Sequence, residues 1–333
     1  MHIADALISP AVGGAMLAAA FGTASYSLRK NRNDMDENKV PLMGVTGAFV
    51  FAAQMINFTI PGTGSSGHIG GAMLLAVMLG PYAGFLVMAS VLLIQALFFG
   101  DGGLLAYGCN LFNLGFYSCF ATYPCIYKRI TGKGLTSRRI FTASIAATVI
   151  GLQLGAFSVV LETLLSGKTE LPFGLFVLFM QPIHLAIGLV EGFVTGAVVD
   201  FVWRARPEIL DRTAVGKQQD SMPMRKLLIG LTIAAVAVGG ILSLYASAKP
   251  DGLEWSIERT AGTSELETAG AIHETLSDIQ SNISVLPDYG FKDGEASGLS
   301  ANAGTSVSGI VGGAATLVIA ALTGWAVNTF KNK

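Results

Sequence analysis

The sequence predicts an all-α polytopic membrane protein, and three observations carry that prediction. Of its 333 residues 52% are hydrophobic, only 13% are charged, and the mean hydropathy is +0.58, whereas a soluble domain is about 25% charged. Apolar stretches of membrane-crossing length recur between short polar breaks. The basic residues collect in alternate breaks, as the positive-inside rule requires of a chain that crosses a bilayer repeatedly.

Apolar stretches lie near 7–28, 41–60, 69–80, 83–99, 104–127, 140–165, 173–202, 227–247 and 308–329. The third and fourth are separated on physical grounds. As one helix, 69–99 would measure about 46 Å at 1.5 Å per residue, too long for a hydrocarbon core of about 30 Å, and Gly80-Pro81 offers the break. A single crossing would also strand the basic loop 128–139 outside. Counted as two, the segments 29–39, 128–139, 203–226 and 330–333 all face the cytoplasm and hold 17 of the 21 Lys and Arg. The expected arrangement is therefore seven N-terminal membrane helices, N-terminus outside, then two C-terminal helices flanking an outer segment.

That outer segment, 248–307, carries ten Asp and Glu against three basic residues. Within it 262–284 reads as one amphipathic helix, and the Gly, Ser and Ala of 289–309 as a flexible return. The predicted units are 1–202, a cytoplasmic linker 203–226, and 227–333. A formal charge of −1 excludes nucleic-acid binding through a basic surface. Cys109, Cys119 and Cys125 share one apolar segment and read as small core residues rather than a disulfide or metal framework. No Lys or Arg precedes the first apolar run, so Met1 is expected to persist in the mature protein.

The chain has four histidines, at 2, 68, 184 and 273. An α-amine, the amide nitrogen of residue 2 and the His2 imidazole can close two small chelate rings in one plane. A fourth nitrogen completes the square plane favoured by Ni(II) or Cu(II), and His68, after the Gly- and Ser-rich 61–67, is the obvious donor. Spacing alone leaves a second reading open, a frayed terminus and an interfacial histidine. A chelate of this kind must lose the amine and amide protons, so its affinity rises with pH, and any N-terminal extension abolishes it.

Further polar groups fall within the spans: Gln54, Asn57, Gln95, Asn110, Asn113, Gln153, His184 and Glu191. At membrane depth such groups hold helices together or line a pathway. His184 and Glu191, seven apart, share one helix face, and Asp101 lies outside near the supposed site. Ala11, Ala15 and Ala19 form a small-residue stripe on which another helix could pack, internally or from a partner. Ser166-Gly167-Lys168-Thr169 lacks the upstream glycine of a phosphate loop, and neither His-Glu-x-x-His nor Gly-x-Ser-x-Gly occurs, so neither nucleotide binding nor intramembrane hydrolysis is expected.

Met1-His2-Ile3, Gly67-His68-Ile69-Gly70-Gly71, Gly80-Pro81, Phe99-Gly100-Asp101-Gly102-Gly103 and His184-Leu185-Ala186-Ile187-Gly188 with Glu191-Gly192 together resemble the cobalt and nickel substrate-capture subunits of energy-coupling-factor transporters. From 225 onward the chain resembles their two-span accessory subunit, with Pro250-Asp251-Gly252-Leu253-Glu254 as its signature. The resemblance implies a membrane component of an ATP-driven importer in a prokaryotic plasma membrane. It further implies that Met1, His2 and His68 hold Ni2+ or Co2+ as transported substrate, with Asp101, Asn110, Gln95, His184 and Glu191 as supporting or pathway groups. ATP hydrolysis would belong to cytoplasmic partner subunits joined through a transmembrane coupling protein, with Ala11, Ala15 and Ala19 as the docking face. The fused tail leans toward nickel, with cobalt uptake for cobalamin synthesis as the alternative. A metal-binding receptor that does not transport is the rival from another class.

Overall fold

The computed structural model describes residues 2–32, 35, 38–168, 171–210, 222–263, 270–291 and 298–329, with side chains of the last stretch from 303. Met1, Glu265, Glu267, Asp293, Glu295 and residues 211–221 of the expected linker lie outside them. The described chain is helical apart from one two-stranded ribbon. In order the helices are α1 (Pro10–Asn31), α2 (Lys39–Gln54), α3 (Ala72–Leu79), α4 (Pro81–Ile94, prolonged through Gln95–Phe99), α5 (Tyr107–Leu111, running on to 131), α6 (Ser137–Ser166) and α7 (Phe173–Ala205). After a short α8 (Pro207–Leu210) come α9 (Met224–Val236, prolonged to 245), α10 (Gly252–Ala261), α11 (Ala271–Ile283) and α12 (Gly298–Thr329). Six of these are long and apolar enough to cross a membrane: Pro10–Asn31, Pro81–Phe99, Ser137–Ser166, Phe173–Ala205, Met224–Tyr245 and Ala303–Thr329.

The third expected span is corrected. α3 has only eight residues, about 12 Å of helix, less than half a bilayer. The chain does turn at Gly80-Pro81, where Gly80 has φ +83°, a value open to glycine. Gly84 of α4 then lies against the backbone of Leu75 and Ala76. The missing half of the span is the connection 55–71, which folds as a ribbon pairing Phe58 with Gly67 and Thr59 with Ser66.

Close helix contacts occur where a side chain is missing. A Cβ on Gly192 of α7 would stand 2.6 Å from Ile145 Cα of α6, and one on Gly188 3.1 Å from Val149 Cα. α9 and α12 meet at Gly239 and Gly309, and α12 lies on α2 through Gly312 against the Phe51 ring. Small residues thus do the packing that lipid gives no hydrophobic reason to drive.

The outer segment also departs from expectation. The helix expected over 262–284 covers only Ala271–Ile283, after Gly270 at φ +125°, and a separate helix, Gly252–Ala261, precedes it and is closed by Gly262 at φ +78°. The return is helical from Gly298, well before 308. At the other end of the bundle Lys39, Lys128 and Arg206 line a cavity of about 750 Å³ beside Gly80 and Pro81.

Candidate functional site

The site forms where the N-terminal segment, the ribbon loop and the outer segment meet. Residues 3–8 are held by backbone as well as side chains. Asn110 of α5 grips Ile3 at both ends, accepting from its N–H at 2.7 Å and donating to its carbonyl at 3.1 Å. Asp5 accepts from Ala106 N–H at 2.9 Å, and His273 of α11 bonds the Ile8 carbonyl at 2.9 Å. Residue 2 is thereby presented to the loop.

The loop is fixed from beneath. Glu191, 2% exposed, accepts from Gly70 N–H at 2.7 Å and Gly71 N–H at 2.8 Å, one to each oxygen. These are the orphan amides at the start of α3, and a carboxylate there answers both their hydrogen bonding and the positive end of the helix. Gln54 donates to the Gly70 carbonyl, and Gln95 donates to Gln54, each at 2.8 Å.

The loop is fixed from above by the motif Pro250-Asp251-Gly252-Leu253-Glu254. Asp251 caps α10, accepting from Leu253 and Glu254 N–H, while Glu254 returns to the Asp251 N–H, a complete capping box. Ser66 N–H donates to the Pro250 carbonyl at 2.8 Å, and the Trp255 indole donates to the Thr63 carbonyl at 3.0 Å. Gly252 seats the motif on α7: a Cβ there would lie 3.1 Å from Ile187 Cδ1 and 3.3 Å from His184 Cε1.

Between these supports the His2 and His68 rings stack, centroids 5.2 Å apart and planes within 11°. His2 Nδ1 lies 3.0 Å from Asp101 Oδ2, an oxygen that also accepts from the Tyr289 hydroxyl. His2 Nε2 is buried without a partner. His68 bonds the Ile69 carbonyl through Nδ1 and places Nε2 4.0 Å from Asp251 Oδ2. Burial works against Asp101, but the charge and hydrogen bond of His2, with the Tyr289 bond, outweigh it and hold its carboxyl at about 2.

His2, His68, Gln95 and Asp101 line one cavity of about 330 Å³, with Asp251 and Tyr289. His184 does not reach it. Its Nδ1 bonds the Met180 carbonyl at 2.8 Å, and its buried Nε2, unpartnered, borders a smaller cavity of about 10 Å³ that His68 and Asp251 also line. Glu191 and Asn110 act on the backbone of the loop and the terminal segment. Ala11, Ala15 and Ala19 are exposed along α1, away from the cavity. Among the described residues no three His, Cys, Asp or Glu side chains converge as a metal site, so an ion shared by His2 and His68 needs donors other than side chains.

Sequence reasoning gave no role to Asp251 or Tyr289. Asp251 was findable, since Asp-x-x-Glu before an apolar residue is a helix-start pattern. Tyr289 had no local signal.

Fold and site define a membrane protein whose terminal segment, clamped between helices, presents a histidine to a buried loop histidine under a cap from its own C-terminal region. The chain belongs to the family described as cobalt uptake substrate-specific transmembrane region, whose model matches residues 2–209, and a PDGLE domain matches 225–329. It is 34% identical over 327 residues to a putative fused nickel transport protein of Archaeoglobus fulgidus, covering 97% of this chain and 96% of that one. It is 33% identical over 267 residues to a probable fused nickel transport protein of Lactiplantibacillus plantarum, covering 77% and 78%. A crystal structure of a transition metal transporter superposes with a TM-score of 0.55 at 32% identity, covering 64% of this chain and 98% of that one.

Proposed function

We propose that this chain is the substrate-capture component of an energy-coupling-factor importer for nickel or cobalt ions, taking the ion at the outer face through four nitrogens: the Met1 amine, the His2 amide and imidazole, and the His68 imidazole. The observation that carries this reading is the pairing of His2 with His68, 5.2 Å apart, with no group of three His, Cys, Asp or Glu side chains among the described residues that could hold an ion. Relatives named as nickel transport proteins support the cargo. Square-planar coordination by nitrogen suits Ni(II).

Asp101, Asp251, Glu254 and Asp288 line the same cavity against Lys249, a surplus of negative charge that concentrates cations where they shed water. Units 1–202 and 227–333 act as capture and accessory domains joined by the cytoplasmic linker 203–226. The exposed stripe Ala11, Ala15 and Ala19 docks a transmembrane coupling subunit, and cytoplasmic ATPase subunits supply the energy for release inward. His184 and Gln95 are retained as groups along the inward path.

The test is titration of the detergent-purified chain, bearing its native N-terminus, with nickel and with cobalt, followed by absorption for a square-planar band. A version with one residue added before Met1 is titrated beside it. The expected result is nickel binding that the added residue abolishes. Equal binding by both versions removes the terminal amine from the site and overturns the reading.

A further inference from the structure

Among the described residues, only Asp288 and Tyr289 combine a side chain with positive φ, +50° and +60°. A left-handed conformation costs a side-chain-bearing residue roughly 1–2 kcal/mol, and tyrosine has no short polar group to offset it locally. The surroundings enforce it. Val285 and Leu286 N–H both donate to the Phe98 carbonyl, at 2.9 and 3.1 Å, and Ser308 donates to the Tyr289 carbonyl at 3.1 Å. The phenol ring stacks on Phe99 at 4.9 Å and 19°. Strain maintained in this way marks functional positions, and here it delivers one hydroxyl to one atom, Asp101 Oδ2.

That oxygen also faces His2 Nδ1, at 3.0 Å. In the terminal chelate proposed above, Nδ1 is the imidazole nitrogen that closes the ring with the His2 amide. Two nearly parallel imidazoles cannot both aim in-plane lone pairs at one ion. Loading therefore turns the His2 ring and takes Nδ1 from Asp101, which would leave a part-buried carboxylate, its side chain 23% exposed, short of a protein donor.

We infer that Tyr289 is a positioning residue of the capture site, contributed by the C-terminal domain, that keeps Asp101 hydrogen-bonded when His2 is released to the metal. It touches no ligand nitrogen itself and acts through Asp101. The inference rests on the terminal-chelate reading, and the double-mutant cycle below separates the two.

Tyr289→Phe retains the ring and its stack on Phe99 and removes only the hydroxyl. In the metal-free protein Asp101 keeps its His2 contact when the hydroxyl is removed, whereas in the loaded site it does not, so nickel affinity should fall roughly 10-fold and the thermal midpoint of the metal-free protein should fall by less. The same substitution is made beside Asp101→Asn, where no carboxylate is left to support, and there it should change affinity less than about twofold. Imidazole 15N spectra of the metal-free full-length chain supply a readout that stability does not move: the His2 Nδ1 resonance should shift in Tyr289→Phe and not in Tyr289→Phe with Asp101→Asn. Unchanged nickel affinity in the single variant, or equal weakening in both backgrounds, overturns the inference. Failure of the chelate reading shows separately, as indifference to an added N-terminal residue.

Discussion

Replacing Glu191 by Gln tests whether the capture loop is held in place by a single buried carboxylate. The substitution nearly preserves volume, so its effect is on hydrogen bonding. Glu191 accepts from two backbone amides, at 2.7 and 2.8 Å, through two different oxygens. A glutamine offers one carbonyl oxygen and sets an N–H2 donor against the other amide. One charge-assisted bond is lost, a net of about 1.5–3 kcal/mol, and a buried amide is left unpaired, with a desolvation cost of about 1–3 kcal/mol. These overlap, so about 2–3 kcal/mol is the working figure for destabilisation of the ordered 67–71 loop. If the ordered loop is the form that binds metal, nickel affinity falls by roughly 30- to 150-fold. The assay is nickel titration of the purified variant beside a thermal melt. A folded variant that binds nickel within about threefold of the parent would refute the assignment of Glu191 as the support of the loop.

One further outcome is expected. In Gly252→Val the new Cβ meets Ile187, Ile183 and His184 at 3.1–3.3 Å, and overpacking of this kind costs typically about 1–3 kcal/mol. It should lower the thermal midpoint and weaken nickel binding together, measured on the same samples, because it lifts Asp251 and Pro250 from the loop.

What the sequence showed and what it hid divide along a physical line. Membrane helices announce themselves because each must fill about 30 Å with apolar residues, and eight of the nine expected stretches correspond to helices of nearly the expected position. The exception, 69–80, is helical only over Ala72–Leu79, and hydropathy does not show that the rest of the span is the connection 55–71, where Glu191 accepts from the Gly70 and Gly71 amides and Gln54 donates to the Gly70 carbonyl. Irregular backbone at such depth is allowed only with partners of that kind, and those partners lie far away in sequence. His2 and His68 could be singled out because a terminal histidine has its own chemistry. Tyr289 could not, since its place depends on the Phe98 carbonyl, the Phe99 ring and an unfavourable φ, none of which leaves a pattern. The later start of α11, at Ala271 rather than 262, was partly visible in Gly262 and Gly270, but amphipathic periodicity across 262–284 argued the other way.

The contacts of His2 bear on release as well as capture. His2 and His68 are stacked rather than convergent, and Asp101 occupies a nitrogen that the proposed chelate needs. A pocket that must turn a ring and part a hydrogen bond before it coordinates binds more weakly than its best geometry allows, by the free energy of that rearrangement. On the proposed reading, the same free energy is returned on unloading, so it lowers the barrier to release. The supports that set its size come from both halves of the fusion: Asn110 and Glu191 from one, Asp251 and Tyr289 from the other. On the proposed reading, a movement of α9 and α12 relative to α2 that drew the outer segment away would take Asp251 and Tyr289 from the site while leaving Asn110 and Glu191 in place. That would shift the balance between parked and coordinating His2 without touching a ligand.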